Sequence, residues 1–307
     1  MKILVTGISG FIGKNFLENF YKDDVQIIGI YNNTDSIKDF VYERKIKNVK
    51  LYKCDLTNIS QVSKLYKKIG KEFDVGIFLS SNVDVGLSIN FPNKDLILNV
   101  MPILNIFQFS SYKKFIYMST SGVYDSLIGK VSTNTKLSPK NPYCISKLSA
   151  EYYIKYFRKV GGIDNYNIFR LGGTFGLYSD KKFITKLIKD IYINNKSTID
   201  VYGNGESMIK TIYVKDLVNF LSKCIDSSLK DITCNLGQDS YTINEIIDNI
   251  SKIFDKKIRI NHLNKDDNQK YIHFEEQIDF NKIFNYKYLY TFREGIIEFA
   301  ESLKNNV

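Results

Sequence analysis

Short apolar runs rich in β-branched residues recur through the first 170 residues, and longer segments with helical spacing separate most of them. The runs are KILVT, VQIIGIY, VKLYKC, VGIFLS, KFIYMS and YNIFRL. Strands that are apolar on both faces are typical of a parallel sheet that helices cover on both sides. The alternation of such strands with helices therefore predicts an α/β fold, with a doubly wound parallel sheet over residues 1–170.

The rhythm changes after about residue 170, where strands and helices no longer alternate regularly. We predict a smaller mixed α/β domain over residues 171–307, interleaved with the first domain through a segment near 205–230 that returns to it. The elements predicted in this half are a helix around 181–194, the strand TIDVY, a helix over Val214–Asp226 and helices that begin with capping boxes at Thr242 and Thr291.

The composition indicates a cytoplasmic protein that binds neither membranes nor nucleic acids, but it does not indicate a reaction. The four cysteines have no CxxC spacing, which indicates free thiols in a reducing compartment and a cytoplasmic location. No uninterrupted apolar run approaches about 18 residues, and the apolar run in MKILVTG is too short for a signal peptide, so no membrane partner is expected. The formal net charge is +10, but the lysines are scattered along the chain, and nucleic-acid binding is not expected.

A glycine-rich loop follows the first predicted strand. Residues 4–13 read LVTGISGFIG, with Gly7, Gly10 and Gly13 at the spacing GxxGxxG, and an amphipathic helix follows. Glycines allow a tight turn and a close backbone approach to a pyrophosphate, and the N-terminus of the next helix offers free N–H groups and a positive dipole. Such a loop between a strand and a helix is typical of a dinucleotide-binding, Rossmann-type fold, with an unliganded strand–turn–helix as the simpler alternative.

A tyrosine and a lysine lie about one helical turn apart in NPYCISK, residues 141–147. Asn141 is a suitable N-cap and Pro142 suits the first helical position, so Tyr143 and Lys147 are predicted on one face of a helix. An ammonium group near a phenol favours the phenolate, which can exchange a proton with a hydroxyl group or a ketone. The chain has 22 tyrosines, so a chance YxxxK match is the alternative.

The glycine spacing resembles the TGxxGxxG signature of extended short-chain dehydrogenases, the epimerase/dehydratase group that modifies nucleotide sugars. The segment KFIYMSTSGVYD is similar to the family's strand that ends in hydroxyl residues, and Thr120 matches its catalytic Ser/Thr position. The segments FRLGGTFG, VYGNGES, IYVKDL and TFREGI resemble later parts of the pattern, so the likeness covers almost the whole chain. The resemblance implies that Thr120, Tyr143 and Lys147 form a catalytic triad.

The resemblance also implies an NAD(P) site at the carboxyl ends of the strands. The residues expected to bind the cofactor are Gly7, Ser9, Gly10, Phe11, Ile12, Gly13, Tyr31, Asn32, Asp55, Leu56, Leu79, Ser80, Ser81, Asn99, Tyr143 and Lys147. A cap for the next helix is the second interpretation of Asp55. Tyr31 occupies the place where NAD-binding members carry an acid, and Asp35 lies further along, so NADP is slightly favoured over NAD.

The chain departs from the family pattern in three segments around the expected sugar nucleotide. Ser-Gly follows Thr120 where dehydratases carry Asp-Glu, which disfavours a 4,6-dehydratase. Gly173 replaces the family's asparagine, and Ile209, followed by Lys210, replaces its arginine. The residues expected at the substrate are therefore Ser121, Gly173 and Lys210, with Lys210 as a point charge that lacks the bidentate fork of an arginine.

These features predict an NAD(P)-dependent oxidoreductase that acts on a nucleotide-activated sugar. The leading hypothesis is a 4-ketoreductase in surface-polysaccharide sugar biosynthesis, the close alternative is a 4-epimerase that retains NAD, and the remote one is a non-catalytic dinucleotide sensor. The resemblance also implies a homodimer. The two histidines, His262 and His273, are far apart and have no ligand companions, so no metal site is expected.

Overall fold

The computed structural model describes residues 1–20, 22–127, 129–179, 182–263, 272–274, 284 and 286–304. The strands in this part of the chain are β1 (Lys2–Thr6), β2 (Gln26–Tyr31), β3 (Val49–Lys53), β4 (Glu72–Phe78), β5 (Ser111–Thr120), β6 (Gly129–Val131), β7 (Tyr166–Leu171), β8 (Gly173–Phe175), β9 (Thr198–Tyr202), β10 (Met208–Tyr213), β11 (Ile232–Leu236), β12 (Ser240–Thr242), β13 (Arg259–Leu263) and β14 (Ile272–Phe274). The α-helices are α1 (Phe11–Asn19), α2 (Ile37–Glu43), α3 (Ile59–Ile69), α4 (Val85–Asn90), α5 (Pro92–Asn99), α6 (Met101–Phe107), α7 (Pro142–Lys159), α8 (Phe183–Ile188), α9 (Val214–Asp226), α10 (Ile243–Ile253) and α11 (Phe292–Lys304).

The chain divides into two compact units. The first comprises Met1–Val123, Pro139–Arg170 and Ser222–Cys234, and the second comprises Tyr124–Ser138, Leu171–Leu221 and Asn235–Val307. The segment that returns to the first unit is thus 222–234, later than the predicted 205–230. The short stretch 124–138, expected in the first domain, belongs to the second unit. The cofactor-binding and substrate-binding roles of the two domains stay predictions.

Seven strands form the main sheet, in the order β3-β2-β1-β4-β5-β7-β11. The ladders from β3 to β5 are parallel, and Val5 in β1 pairs with Gly29 on one side and Ile77 on the other. The strand order reverses between β1 and β4, and in such sheets the reversal opens a crevice at the carboxyl ends of the strands. The predicted Rossmann-type, doubly wound α/β fold is confirmed.

Buried apolar residues of the strands and helices form one cluster around this sheet. Leu4, Ile30, Phe78 and Tyr117 of the strands belong to it together with Ile106 of α6. Fully burying an apolar side chain stabilises the folded state by about 1.5–3 kcal/mol relative to leaving it exposed. The apolar runs that predicted the strands are therefore also the residues that hold the helices to the sheet.

The segment Ser222–Cys234 is fixed to the first unit by buried polar contacts that no local sequence pattern indicates. The Lys114 ammonium of β5 is buried and donates to the carbonyl oxygens of Cys224 (2.7 Å) and Ile225 (3.1 Å) at the end of α9. Burial lowers the pKa of Lys114. Carbonyl groups in the last turn of a helix lack partners within the helix, so a lysine satisfies them favourably. This contact joins the beginning of the returning segment to β5.

The second unit is a mixed α/β structure, as the change of rhythm predicted. It contains a three-stranded sheet in the order β12-β10-β8 and two pairs of strands, β13 with β9 and β14 with β6. Aromatic packing contributes to its core: the Phe175 ring lies 5.3 Å from that of Tyr213 and 5.5 Å from that of Phe292, measured between centroids. Pairs of this geometry add about 0.5–1.5 kcal/mol beyond the burial of their area.

Most predicted elements of the second unit are confirmed. TIDVY is β9, and the helix expected over Val214–Asp226 is α9. The Thr242 hydroxyl accepts from the Glu245 backbone N–H in a capping box, and Thr291 forms the same box with Glu294. The helix expected around 181–194 is present: α8 continues without a break into a π-helix over Lys189–Ile193.

Two expectations from composition can be compared with the structure. All four cysteines are buried free thiols, as predicted. Burial raises the pKa of the Cys54 thiol to about 11 and that of Cys224 to about 12, so these thiols stay protonated and unreactive at neutral pH. Within the described part of the chain, no helix combines the length and the apolar character that crossing a bilayer requires.

Candidate active site

The glycine loop connects β1 to α1 and lies against the end of β4. Gly7 has a φ of +66°, and a Cβ atom built on it would lie 2.7 Å from the Ser80 backbone nitrogen. A Cβ on Gly13 would lie 2.5 Å from the Ile8 carbonyl oxygen, so this glycine lets α1 approach the loop closely. Both positions therefore require glycine for steric reasons.

The middle glycine leaves space open at the start of α1, which is where a pyrophosphate would lie. A Cβ on Gly10 would meet only the Gly7 carbonyl oxygen, at 3.2 Å. Gly10 is the N-cap of α1, and no side chain caps this end of the helix. The N–H groups of the first turn remain available for an anion, so the loop fits a dinucleotide. Ser9, Phe11 and Ile12 lie in the loop and first turn, and their cofactor contacts stay predictions.

The end of β2 carries a buried tyrosine and, nearby, an acidic residue. Tyr31 is buried, and Asn32 after it is exposed. Lys53, which pairs with Tyr31 across the β2–β3 ladder, donates to the Asp35 carboxylate at 2.8 Å. The Lys53 ammonium, and after it the Tyr31 hydroxyl, lower the pKa of Asp35. A carboxylate thus lies at this strand end, although not at the position that the family pattern indicates.

Asp55 and Leu56 follow β3, and the aspartate does not cap the next helix. Asn58 is the N-cap of α3 and accepts from the backbone N–H groups of Ser60 and Gln61. The Asp55 carboxylate instead accepts from the Thr57 backbone N–H and hydroxyl. This rules out the capping interpretation of Asp55 and leaves its adenine contact as a prediction.

The loop after β4 is fixed by two polar residues of neighbouring elements. The Thr6 hydroxyl accepts from the backbone N–H groups of Leu79 and Ser80, both at 3.2 Å. The Asn99 carbonyl oxygen accepts from the Ser81 hydroxyl at 3.0 Å and from the Asn82 backbone N–H at 2.8 Å. The loop that the family pattern places under the cofactor therefore has a defined backbone.

The amide nitrogen of the Asn99 side chain donates hydrogen bonds to two buried residues. Its Nδ2 donates to the Asp95 carboxylate at 2.9 Å and to the Ser146 hydroxyl at 3.0 Å, and all three residues are buried. Ser146 also donates to Asp95 at 2.7 Å. With both ends of its amide engaged, Asn99 is better placed to position the loop after β4 than to touch the cofactor. Sequence reasoning missed Asp95, although its i, i+4 spacing to Asn99 was a usable signal.

Helix α7 carries the predicted proton-transfer pair. Asn141 is its N-cap and accepts from the Cys144 backbone N–H at 3.0 Å, and Pro142 is its first residue, as predicted. Tyr143 is half-buried, whereas Lys147 is 3 % exposed. The Lys147 ammonium lies 4.2 Å from the centroid of the Tyr117 ring on β5. The structure therefore places the lysine in a desolvated position against the strand that ends in Thr120.

A buried ion pair joins the same helix to the end of β5. The Ser119 hydroxyl, next to Thr120, donates to Glu151 Oε1 at 2.6 Å. The Arg170 guanidinium of β7 donates to both Glu151 oxygens, through Nε at 3.1 Å and Nη2 at 2.8 Å. Tyr143, Lys147 and Glu151 are spaced by four residues, so one face of α7 carries all three. Sequence reasoning missed Glu151, although an acidic residue on this face was a usable signal.

Thr120 ends β5, and its hydroxyl accepts from the Gly122 backbone N–H at 3.1 Å. Ser121 begins the 3₁₀ helix that follows, and both residues are half-buried. A hydroxyl at a strand end that keeps some exposure can donate its proton to a substrate oxygen. Thr120 is the last residue of β5, and α7 packs against this strand. A Thr120–Tyr143–Lys147 site requires this arrangement. Its catalytic role stays a prediction.

The other two predicted substrate residues lie in the second unit. A Cβ on Gly173 would lie 2.5 Å from Ile209 Cγ2, so the two positions that depart from the family pattern are in contact with each other. Lys210 is 6 % exposed, and a Cβ on Gly237 would lie 2.6 Å from its Cγ. The lysine stem is thus packed inside this unit, and its role as a charge for the diphosphate stays a prediction.

The described residues contain no cluster of three or more His, Cys, Asp or Glu side chains that could hold a metal ion. His262 is exposed, and its Nδ1 lies 2.9 Å from the Gly203 carbonyl oxygen. This agrees with a surface position for that histidine. The side chain of His273 lies outside the described residues.

The chain is similar to known proteins both in sequence and in fold. The chain is 28% identical to the putative UDP-glucose 4-epimerase of Methanocaldococcus jannaschii over 262 aligned residues. The alignment covers 80% of each sequence. The fold is similar to that of a UDP-N-acetylglucosamine 4-epimerase from Methanobrevibacter ruminantium, with a TM-score of 0.85, 24% identity and coverage of 100% of this chain and 99% of the other. It is also similar to that of a UDP-glucuronic acid 4-epimerase from Bacillus cereus, with a TM-score of 0.85, 22% identity and full coverage of both chains.

The family profile described as NAD dependent epimerase/dehydratase matches residues 3–237. This span begins in β1, before the glycine loop, and continues past the end of β11, so it contains every predicted catalytic and cofactor residue. The expectation of an NAD(P)-dependent enzyme related to short-chain dehydrogenases is confirmed at the level of the family. The chain belongs to the NAD dependent epimerase/dehydratase family.

Proposed function

We propose that the protein is a nucleotide-sugar 4-epimerase that retains NAD and acts on a UDP-sugar. The observation that carries this proposal is the attachment of α7 to the end of β5, with Lys147 against Tyr117 and Glu151 bonded to Ser119. That attachment holds Tyr143 and Lys147 beside the strand that ends in Thr120. The three relatives described above, whose names are those of UDP-sugar 4-epimerases, support the choice of reaction and of nucleotide.

The residues of this site have separate roles in the proposed reaction. NAD, when bound, supplies a reversible acceptor for the hydride from C4 of the sugar. Tyr143 accepts the proton of the 4-hydroxyl group at its phenolic oxygen. It returns the proton after the 4-keto sugar has rotated and presents its opposite face for hydride return. Lys147 favours the phenolate by its positive charge, and Thr120 donates a hydrogen bond to the sugar oxygen on which negative charge develops.

NAD replaces NADP as the cofactor that we favour. The slight preference for NADP was based on Tyr31, and the comparisons do not support it, because the family is described as NAD dependent and the B. cereus structure was determined with NAD. The Asp35 carboxylate near Tyr31 also favours NAD, since a negative charge at this strand end opposes a 2′-phosphate. The Lys53 ammonium offsets part of the negative charge of Asp35, so we base the choice of NAD mainly on family membership.

The 4-ketoreductase, which led the sequence-based hypotheses, becomes the second candidate. Its specific support was the absence of an acid at position 31, and Asp35 weakens that support. The Ser-Gly that follows Thr120 still disfavours a 4,6-dehydratase, because that reaction needs an acid and a base for the elimination of water. The roles of Ser121, Gly173 and Lys210, the cytoplasmic location and the link to surface polysaccharides stay predictions.

The test is incubation of the purified protein with UDP-glucose, UDP-N-acetylglucosamine or UDP-glucuronic acid and no added cofactor. We expect conversion of at least one sugar to its C4 epimer, followed by chromatography or NMR, and release of NAD when the protein is denatured. NADPH consumption in step with loss of a 4-keto sugar, without any epimerisation, would instead establish the reductase. Turnover of none of these sugars would exclude the proposed substrate class.

We also propose that the protein forms a homodimer through α5 and α7. Leu96 and Ile97 of α5 and Ile145, Tyr152 and Tyr156 of α7 are each 46–61 % exposed, and the two helices pack against each other. Large apolar side chains that are exposed on two neighbouring helices are candidates for an interaction surface. A two-fold axis would let the same patch of a second copy cover it.

Light scattering coupled to size-exclusion chromatography tests the dimer. We expect a dimer for the unmodified chain and a shift to monomer when Ile97→Glu and Tyr156→Lys are combined. The control is Tyr42→Lys on α2, an equally drastic change at a tyrosine that is 85 % exposed, which should leave the dimer intact. A monomeric unmodified chain at micromolar concentration would refute this part of the proposal.

A further inference from the structure

Tyr117 is the aromatic residue against which the Lys147 ammonium is desolvated. Its ring centroid lies 4.2 Å from Lys147 Nζ, and the two residues are 0 % and 3 % exposed. A cation at this distance over an aromatic face is attracted to the electron density of the ring, and the attraction is largest where water is excluded. Tyr117 stands on β5 three residues before Thr120, so it belongs to the same strand as the proposed hydrogen-bond donor.

The hydroxyl group of Tyr117 has no hydrogen-bond partner among the described residues, although it is buried. Burial, together with nearby Tyr143, Glu151 and Asp95, raises the pKa of Tyr117 well above its usual value. The Tyr117 hydroxyl group is therefore protonated, and the residue uncharged, at neutral pH. A buried hydroxyl without a hydrogen-bond partner costs free energy on folding, so the contact that this residue offers to Lys147 is its aromatic ring.

The two carboxylates that act on this region have hydrogen-bond donors of their own. Glu151 accepts from Ser119 and twice from Arg170. Asp95 accepts from Ser146, Asn82 and Asn99. Both carboxylates are thus held in place by other groups, and the ring face of Tyr117 is one of the surfaces that contact the Lys147 ammonium.

We infer that Tyr117 is a positioning residue whose ring face holds the Lys147 ammonium beside Tyr143, and that its hydroxyl group is dispensable. The inference rests on the proposed roles of Tyr143 and Lys147. It goes beyond them because it assigns a function to a core residue that no motif marks. The consequence is a difference between two substitutions at one position: phenylalanine keeps the ring, whereas leucine keeps an apolar side chain and removes the ring.

Ultraviolet titration of the purified protein measures the pKa of Tyr143 in each variant, and no sugar substrate is needed. Tyrosinate absorbs differently from tyrosine, and subtracting the titration of the same protein with Tyr143→Phe added isolates the contribution of Tyr143 in each variant. We expect Tyr117→Phe to leave the pKa of Tyr143 as in the unmodified protein. We expect Tyr117→Leu to raise the pKa of Tyr143 by about one unit, because a displaced ammonium stabilises the phenolate less.

A matched control separates positioning from packing. Phe115 lies two residues earlier on β5, is 1 % exposed and packs against Phe78 and Phe107. Phe115→Leu should destabilise the protein about as much as Tyr117→Leu and leave the pKa of Tyr143 unchanged. An equal shift in both leucine variants, or a shift as large in Tyr117→Phe, would overturn the inference. Because the titration needs no substrate, failure of the epimerase assay and failure of this inference are separate results.

Discussion

Replacing Tyr143 with phenylalanine should abolish turnover while leaving NAD binding nearly unchanged. The substitution removes one oxygen atom, which in the proposed reaction accepts and returns the proton of the sugar hydroxyl. A positioned acid–base group contributes about 10²–10⁴-fold to rate, so we expect a loss of at least about 10²-fold in kcat. The ring itself remains, and so the half-buried site keeps its shape.

The control for this experiment is Tyr153→Phe on the same helix, at a tyrosine that is 41 % exposed. It makes the same chemical change ten residues further along α7, and we expect full activity. NAD binding to each protein is measured by quenching of tyrosine fluorescence or by calorimetry. Normal turnover in the Tyr143→Phe protein would remove the proton-transfer role of Tyr143 and with it the proposed mechanism.

Replacing Arg170 with methionine should cause the largest loss of stability among the changes that we consider. The guanidinium and the Glu151 carboxylate are 3 % and 1 % exposed, so the substitution leaves a buried carboxylate with the Ser119 hydroxyl but without its countercharge. Breaking a buried ion pair by removing one partner costs about 3–5 kcal/mol. Urea denaturation, followed by circular dichroism, measures the change in the free energy of unfolding.

Two further proteins show whether this loss comes from the unpaired charge. Changing Glu151 to leucine together with Arg170→Met removes both charges, and we expect this double variant to recover much of the loss. Arg158→Met breaks the Arg158–Asp231 pair, whose side chains are 38 % and 36 % exposed, and should cost no more than about 1 kcal/mol. If Arg170→Met were as mild as Arg158→Met, the buried pair would not be the link between α7, β5 and β7.

Local patterns carried enough information to predict the sheet and the start of α7. The apolar runs match β1 and β7 in full, since each strand must be apolar to be buried in a parallel sheet. Asn141 and Pro142 specify a helix start through their own side chains, and the structure agrees. Predictions of this kind succeed because the cause lies within a few residues of the effect.

The residues that the sequence did not reveal act over long separations. Asp95 and Ser146 are 51 residues apart, Ser119 and Glu151 are 32 apart, and each pair forms only when the sheet brings its elements together. The returning segment was predicted too early in the chain. Its contacts with Lys114 are also distant, because Lys114 donates to carbonyl groups 110 and 111 residues later. The comparisons do not support the preference for NADP, which was based on position 31 alone, whereas the structure also places the Asp35 carboxylate near the end of β2.

The buried contact of Lys114 with the end of α9 also constrains how the chain can be made. The glycine loop is synthesised within the first 13 residues, but the unit that contains it also needs Ser222–Cys234. Until about residue 234 has left the ribosome, Lys114 lacks its acceptors and the edge of the sheet lacks β11. Folding that depends on such distant partners is slow and leaves strands exposed meanwhile. The nascent chain therefore carries the first unit in an incomplete form until β11 has been synthesised.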